Sequence, residues 1–190
     1  MIWLLDDDCE PRADCLAVLL SRSAGRHVLV PRQVQPDGWE GYPPSWQGTL
    51  VDAAIVREVG FPDPMLFFSK EDSEYFWRVR DRGYALTRVP EAAVVHYHTA
   101  QRPRGVPRDW KLYYEIRNHL HFWLRQRPLS RRGIVRSARV VAGMPLAILL
   151  RDAQKGKGLK LWWWGVRDFL RGRLGRTVDP GENPYERNSG

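Results

Sequence analysis

The alternation of apolar and polar residues divides the first half of the chain into short strands and helices. Four apolar or alternating runs predict strands, at residues 2–5, 27–30, 84–89 and 92–98. Pro90 separates the last two runs. Between the runs, apolar residues at helical spacing predict helices after Pro11, after Asp52, and over Phe76 and Val79. Strands that alternate with helices along a chain are typical of an α/β fold.

The second half is predicted to be helical. One face of a first helix carries four apolar residues, Leu112, Ile116, Leu120 and Trp123. A second helical stretch covers residues 132–150, although Pro145 should kink or break it. A third covers residues 158–176 and is rich in Trp, Leu and basic residues.

Charge supports the same division of the chain. Residues 1–98 contain 10 basic and 15 acidic residues, whereas residues 99–176 contain 19 basic and 4 acidic residues. We therefore predict an α/β domain over 1–98, a Pro/Arg-rich linker over 99–109, a basic helical region over 110–176 and a disordered tail over 177–190. A strongly basic region indicates a polyanionic partner, either a membrane surface or a nucleic acid.

The aromatic residues of the basic region favour a membrane. Residues 140–150 are uncharged but fall short of the roughly 20 residues that a bilayer span needs. Residues 158–176 mix Trp, Leu and Phe with Lys and Arg, as helices at a membrane interface do. We therefore predict a peripheral contact with an anionic membrane surface, and no nucleic-acid partner is expected. The alternative is that this aromatic stripe faces a protein core.

Composition excludes several classes of protein. At 43% hydrophobic residues, the chain can form a buried core and is not a disordered protein. Cys9 and Cys15 are too few and too irregularly spaced for a disulfide framework or a zinc site. The first residues carry acids where a secretory signal would carry basic residues, so a cytoplasmic location is expected.

Three consecutive acids, Asp6, Asp7 and Asp8, directly follow the first predicted strand. A solvated turn is one explanation. The other is a divalent cation site, because Mg²⁺ and Mn²⁺ prefer carboxylate oxygens and commonly carry phosphates. Ligand sites of open α/β sheets also lie at the carboxyl ends of strands, where these acids are placed.

Two further clusters contain acids or histidines. Glu71, Asp72 and Glu74 begin a predicted helix, where Asp72 can act either as a cap or as a general base. His96 and His98 alternate in the last predicted strand and therefore share one face. They are either packed strand residues or additional ligands for a cation such as Mn²⁺.

The order of these clusters resembles that of family 2 glycosyltransferases, inverting enzymes with the GT-A fold. The resemblance covers about residues 2–125 and is closest to bacterial rhamnosyl- and galactofuranosyltransferases. Its most specific part is the run "DSEYFWRVRDRGY" from Asp72 to Tyr84. The helix "YYEIRNHLHFWLRQRP" is similar to the Tyr-Tyr and Arg-Asn helix of the family. The expected fold class is thus α/β, with an incomplete GT-A core followed by basic helices.

The resemblance implies a metal and nucleotide site. Asp6–Asp8 are similar to the Asp-x-Asp motif of the family. Asp8 is expected to bind Mn²⁺ or Mg²⁺, and Asp6 and Asp7 are expected nearer the nucleotide. His96 is expected to be a further metal ligand, with His98 as a second candidate.

The resemblance also implies catalytic and substrate residues. Asp72 corresponds to the catalytic base of the family, and Glu71 precedes it where an Asp is more usual. Trp46 lies in the "PDGWEGYPPSWQ" loop, which corresponds to the sugar or acceptor pocket, and Glu74 is a second substrate-binding candidate.

The implied activity is transfer of a sugar from a nucleotide-diphosphate sugar to a hydroxyl of a glycan or polyprenyl-linked acceptor. Such a reaction belongs to cell wall polysaccharide biosynthesis at the inner face of the cell membrane. Members of the family place several strands before the acidic motif, whereas only five residues precede Asp6 here. We therefore expect an N-terminally truncated core. The alternatives are an inactive relic that binds a membrane or partner, and a metal-dependent phosphoesterase.

Overall fold

The computed structural model describes residues 1–23, 25–97 and 109–179. Several predictions fall outside these residues. They concern His98, residues 99–108 of the predicted linker, and residues 180–190 of the predicted tail.

The described chain has a mixed α/β fold that divides into two compact units. The first contains residues 1–62 and 72–97, and the second contains residues 63–71 and 109–179. The division differs from the predicted domains at residues 63–71, which were expected to belong with residues 1–98. These residues join the second unit because Phe67 and Phe68 pack into its aromatic core.

In the first unit, the described residues form six strands and most of three helices. The elements are β1 Ile2–Trp3, β2 Cys9–Pro11, α1 Cys15–Ser21, β3 Val28–Val34, β4 Glu40–Gly41, β5 Leu50–Val51, α2 Ala53–Val59, α3 Glu71–Asp81 and β6 Leu86–His96. The strands form a mixed sheet in the order β1-β5-β3-β6-β2, with β4 paired to β3. The β3–β6 pair is parallel, and the other pairs of strands are antiparallel.

The central strand β3 is buried on both faces. Its side chains alternate between the faces, so Val28 and Val30 pack with residues of α2 and α3, whereas Leu29 packs with residues of α1. Helices on both faces of a sheet explain why β3 reads as a continuous apolar run in the sequence.

The sequence predicted a helix directly after Pro11. Pro11 instead lies in a strand. It ends β2, which is an edge strand paired with β6. An edge strand tolerates proline because one side of its backbone needs no partner. The helix α1 therefore begins only at Cys15.

The two strands predicted around Pro90 are a single strand, β6. Its pairing with β3 shifts between Val89, opposite Pro31, and Ala93, opposite Arg32. The shift places Pro90 in a bulge, where its missing N–H does not interrupt the ladder of hydrogen bonds. The strand thus continues past Pro90 to His96.

The second unit is helical over residues 111–170, apart from short connections. Its helices are α4 Lys111–His121, α5 Arg131–Ala138, α6 Met144–Arg151 and α7 Lys155–Leu170. A π-helical segment, Phe122–Gln126, extends α4, and a second, Arg139–Gly143, joins α5 to α6. Its core contains Leu112, Tyr113, Tyr114, Ile116, Leu120, Ile148, Leu161, Val166 and Phe169.

Pro145 does not break the second predicted helix. Residues Arg131–Arg151 form one continuous helical stretch of 21 residues. Pro145 lies in the first turn of α6, directly after the π-helical segment, where its missing N–H is accommodated. Ser130 begins the stretch because its side chain accepts a hydrogen bond from the Gly133 N–H, at 3.1 Å.

Among the described residues, this stretch is the one candidate for a membrane span by length and composition. Its most apolar window has a mean hydropathy of 1.6, and 17% of that window is buried. The prediction that this region is too short to span relied on residues 140–150 alone. The helical stretch is longer because α5 and the second π-helical segment extend it back to Arg131, through the apolar residues Ile134 and Val135.

The tryptophan-rich helix α7 is a core helix. Six of its residues are buried: Gly158, Leu161, Gly165, Val166, Asp168 and Phe169. Trp162 and Trp164 pack against the core of the second unit, and only Trp163 of the three tryptophans is largely exposed. Most apolar residues of the helix therefore lie in the core of the second unit, which agrees with the alternative interpretation of residues 158–176.

Candidate functional site

The antiparallel pairing of β2 with β6 brings an acid and a histidine together. Cys9 lies directly opposite His96, so Asp8, one residue earlier, reaches the same end of β6. The Oδ2 atom of Asp8 lies 3.3 Å from the Nε2 atom of His96. The Asp8 side chain is 44% exposed and the His96 side chain 9% exposed, so the pair opens to solvent on the Asp8 side. This point lies at the carboxyl end of the parallel β3–β6 pair, where α/β sheets commonly bind ligands.

Asp6 joins this cluster of charges. Burial raises the pKa of Asp6 above its ordinary value, and the charge of Asp8 raises it further. A hydrogen bond from Gln47 and the charge of His96 lower the pKa, whereas the charge of Asp72 raises it. Asp8, Asp72 and His96 therefore each act electrostatically on Asp6, although Asp72 and His96 are distant from it in the sequence.

Gln47 is a member of the site that the sequence analysis missed. Its side-chain nitrogen lies 3.3 Å from Nε2 of His96, and its side-chain oxygen accepts a hydrogen bond from Ser45 at 3.1 Å. Ser45 in turn accepts a hydrogen bond from Gln33 of β3, at 2.8 Å. The chain of contacts ties the loop before β5 to the sheet. A lone glutamine in a Pro/Trp-rich loop has no pattern that would have identified it.

Cys9 was also missed as a neighbour of the site. Its thiol lies 3.7 Å from Oδ1 of Asp8, and a ligand atom from each of Asp8, Cys9 and His96 lies within 4.8 Å of the others. Burial and the nearby charges of Asp8 and Asp6 raise the pKa of Cys9 to about 12. The thiol is therefore protonated at neutral pH, which makes it a poor ligand for a hard cation.

Asp72 lies in the first turn of α3. Its Oδ1 atom accepts hydrogen bonds from the backbone N–H and the hydroxyl of Ser73. These bonds orient the carboxylate, and its charge reaches Asp6. Glu71 precedes Asp72 on the same helix, so the two side chains diverge by about 100° around the helix axis. The carboxylates of Glu71 and Asp72 therefore point in different directions from α3.

Glu74 has a structural role that corrects its assignment as a substrate-binding residue. Its side chain is 5% exposed, and both carboxylate oxygens accept hydrogen bonds from Arg78, at 2.5 and 3.0 Å. Arg78 also donates to the carbonyl oxygens of Val59, the last residue of α2, and of Phe61. A buried carboxylate engaged in this way is unavailable to a substrate.

Trp46 lies among apolar residues of the first unit. Its ring packs against Tyr75 and Phe76, with centroid distances of 5.6 and 5.4 Å. It lines an apolar cavity of about 170 Å³ together with residues such as Leu4 and Phe61. Its neighbour Gln47, and not Trp46, contacts His96. The structure therefore places Trp46 at an apolar pocket, among aromatic neighbours.

Asp7 is exposed in the turn between β1 and β2. His98 lies outside the described residues. Of the nine predicted site residues, the structure therefore groups Asp6, Asp8, Asp72 and His96.

Asp8 and His96 bring one carboxylate and one imidazole together at the solvent-facing end of the sheet, and Asp6 lies in electrostatic reach of both. Carboxylate oxygens with one imidazole suit Mn²⁺, and Mg²⁺ accepts the carboxylates. A site for a soft metal would instead require Cys9 as a thiolate, which its raised pKa opposes.

Comparison with models of known protein families gives no match for this chain, and comparison with curated proteins gives none. The resemblance to glycosyltransferases thus stays a prediction from the sequence.

Proposed function

We propose that the first unit carries the reaction site of a metal-dependent, inverting glycosyltransferase. The enzyme would transfer a sugar from a nucleotide-diphosphate sugar to a hydroxyl of a glycan or lipid-linked acceptor. The observation that carries this proposal is the contact of Asp8 with His96 at 3.3 Å, beside Asp6, whose carboxyl feels the charges of both residues and of Asp72. Such a cluster of carboxylates and imidazole at the end of a parallel strand pair suits a cation and a diphosphate.

Asp8 and His96 would hold the cation, with Asp6 beside them. When bound, the cation would neutralise the charge of the departing nucleoside diphosphate. Gln47 contacts the same nitrogen, Nε2 of His96, that faces Asp8, so its amide would move aside when the cation binds.

Asp72 would act as the general base. Because Ser73 engages Oδ1, the other carboxylate oxygen is the one that would take the proton of the acceptor hydroxyl. The acceptor oxygen forms its bond to the anomeric carbon as the bond from that carbon to the diphosphate oxygen breaks. A single displacement of this kind inverts the anomeric centre and needs one carboxylate base.

Calorimetric titration of the full chain with Mn²⁺ and nucleoside diphosphates tests the proposal. We expect nucleotide binding to depend on Mn²⁺. The variants Asp8→Asn and His96→Ala should each weaken this binding at least about tenfold. The control Asp81→Asn removes an exposed acid from the end of α3 and should leave binding unchanged. Binding that is independent of metal, or equal in all variants, would refute the proposal.

An activity assay separates the base from the metal ligands. Asp72→Asn should abolish sugar transfer while leaving the Mn²⁺-dependent binding of nucleotide within about twofold, because Asp72 acts on the acceptor. Hydrolysis of phosphate esters by the wild-type chain, without sugar transfer, would instead support the phosphoesterase alternative.

A further inference from the structure

The helical stretch Arg131–Arg151 has one packed side and one exposed apolar side. The packed side carries Gly133, Ser137, Val140, Met144 and Ile148. These residues recur at helical spacing and face the rest of the second unit. The exposed side carries the large apolar residues Ile134, Val135, Val141, Leu146, Leu149 and Leu150. Leu146 is 57% exposed and Leu150 is 73% exposed, so these side chains form an apolar face without protein cover among the described residues.

Close packing against α7 fixes which side faces outward. Trp162 donates its indole N–H to the carbonyl oxygen of Val140, at 3.1 Å. Gly158 lies so close to Ile148 that a Cβ atom there would come within 2.8 Å of the Ile148 side chain. Arg136 lies over the ring of Trp123, 4.8 Å from its centroid. The stretch therefore cannot rotate to bury its apolar face without losing these contacts.

The charges around the apolar face have one sign. Residues 129–151 contain five arginines and no acidic residue. Arg131, Arg132, Arg139 and Arg151 are exposed. Exposed apolar side chains accompanied by cations fit the boundary between acyl chains and anionic headgroups, where basic residues add electrostatic attraction.

We propose that the stretch Arg131–Arg151 lies flat on an anionic lipid bilayer, with its exposed apolar side chains inserted at headgroup depth. The partner surface is thus this stretch and not the tryptophan-rich segment 158–176, whose apolar residues form the core. The proposal does not depend on the catalytic proposal for the first unit.

Two other occupants fit less well. A bilayer-spanning position suits the length of the stretch, but its packed side is attached to α7, which carries Lys155, Lys157 and Arg167. Those charges would enter the hydrocarbon core at high cost. A second copy of the chain would place arginines against arginines with no acidic partner in the stretch, which disfavours association.

Sedimentation of the full chain with lipid vesicles tests the proposal. We expect binding to phosphatidylcholine vesicles that contain about one-third phosphatidylglycerol, weakened by salt, and little binding to pure phosphatidylcholine. Arg131→Glu combined with Arg132→Glu should weaken binding at least about tenfold. The matched control, Arg57→Glu combined with Arg80→Glu, reverses two exposed charges of the first unit and should leave binding unchanged.

A second pair of variants tests the apolar face. Leu150→Asp should weaken vesicle binding at least about tenfold. Leu20→Asp, at an exposed leucine of α1, should not. Both leucines are exposed, so neither change should prevent folding, which circular dichroism checks. Equal binding by all variants, or equal binding to neutral and anionic vesicles, would overturn the proposal.

Two outcomes would show a different occupant. Protein that remains with the vesicles after carbonate extraction at alkaline pH would indicate a spanning helix. A dimer in light scattering without lipid, dissociated by Leu150→Asp, would indicate a second copy. Either result contradicts docking at the bilayer surface. The variant Asp8→Asn separates this proposal from the catalytic one: it should leave vesicle binding intact even if it abolishes nucleotide binding.

Discussion

Asn118 of α4 holds Ser69 in place: its side-chain amide donates to the Ser69 carbonyl oxygen at 3.1 Å and to that of Phe68 at 2.6 Å. The backbone at Ser69 and Lys70 has positive φ angles, 64° and 76°. Such angles are unfavourable for residues with a Cβ atom, so neighbouring contacts must hold them. These residues immediately precede α3, which carries Asp72 in its first turn.

We therefore expect Asn118→Ala to lower the free energy of unfolding by about 1–3 kcal/mol, because two carbonyl oxygens lose their donor. Asn118→Asp should be at least as harmful, since it keeps the oxygen that accepts from Arg117 but removes the donor. Urea denaturation measures both. Lys70→Gly should not destabilise the protein, because glycine adopts the left-handed backbone conformation without strain. If Lys70→Gly lowers the free energy of unfolding as much as a glycine placed inside a helix does, the left-handed conformation is contradicted.

Gly48 is expected to be intolerant of any side chain. Its φ is +88°, and a Cβ atom would lie 2.5 Å from Cγ2 of Val94 and 3.0 Å from Cγ of Pro31. Gly48→Ala should therefore lower the free energy of unfolding by about 2–4 kcal/mol in urea denaturation. Gly38→Ala is the matched control: its φ is +86°, but nothing lies within 4 Å of the added Cβ. Its cost should be only about 1 kcal/mol, and equal losses would show that crowding at Gly48 is absent.

Cys9 is expected to be dispensable for cation binding. Burial and the charges of Asp8 and Asp6 raise the pKa of its thiol to about 12, so it is not a thiolate at neutral pH. Cys9→Ser should change the affinity for Mn²⁺ by less than about twofold, whereas Asp8→Asn should lower it at least about tenfold. Titration calorimetry measures both. Preferential binding of Zn²⁺ that Cys9→Ser abolishes would instead identify a site for a soft metal.

His119 should make the second unit sensitive to acid. Burial, with the charges of Lys70 and Arg136, lowers its pKa to about 4 from an ordinary 6.5. The unfolded chain therefore binds the proton more readily, and stability is full above pH 6.5 and falls as the pH drops toward 4. His119 is partly exposed, so the loss should be on the order of 1–2 kcal/mol, below the full value of the shift.

Urea denaturation at several pH values measures this effect. His119→Gln should flatten the decline in stability between pH 6.5 and about pH 4. Some decline should remain, because burial also lowers the pKa of His121. An unchanged slope in the variant would show that His119 is not the group responsible.

The sequence by itself determined the α/β character of the first unit and the helical character of the second. These follow from local spacing of apolar residues, as at Val28–Val34 and along α4, because burial of a face imposes the period of its element. The acids at Asp6–Asp8 and the histidine at 96 were also visible as residue types suited to a cation.

Tertiary structure alone decided which of these residues meet. Asp8 reaches His96 because β2 pairs with β6 in one particular register, and the sequence signal for β2 is weak, since it is short and ends at Pro11. Likewise, both α7 and the stretch Arg131–Arg151 contain apolar faces and basic residues, and composition favoured α7 as the exposed helix. In the structure α7 is the buried helix, because its glycines allow close approach of Tyr113, Ile116 and Ile148. The stretch Arg131–Arg151 is therefore the one whose leucines face outward.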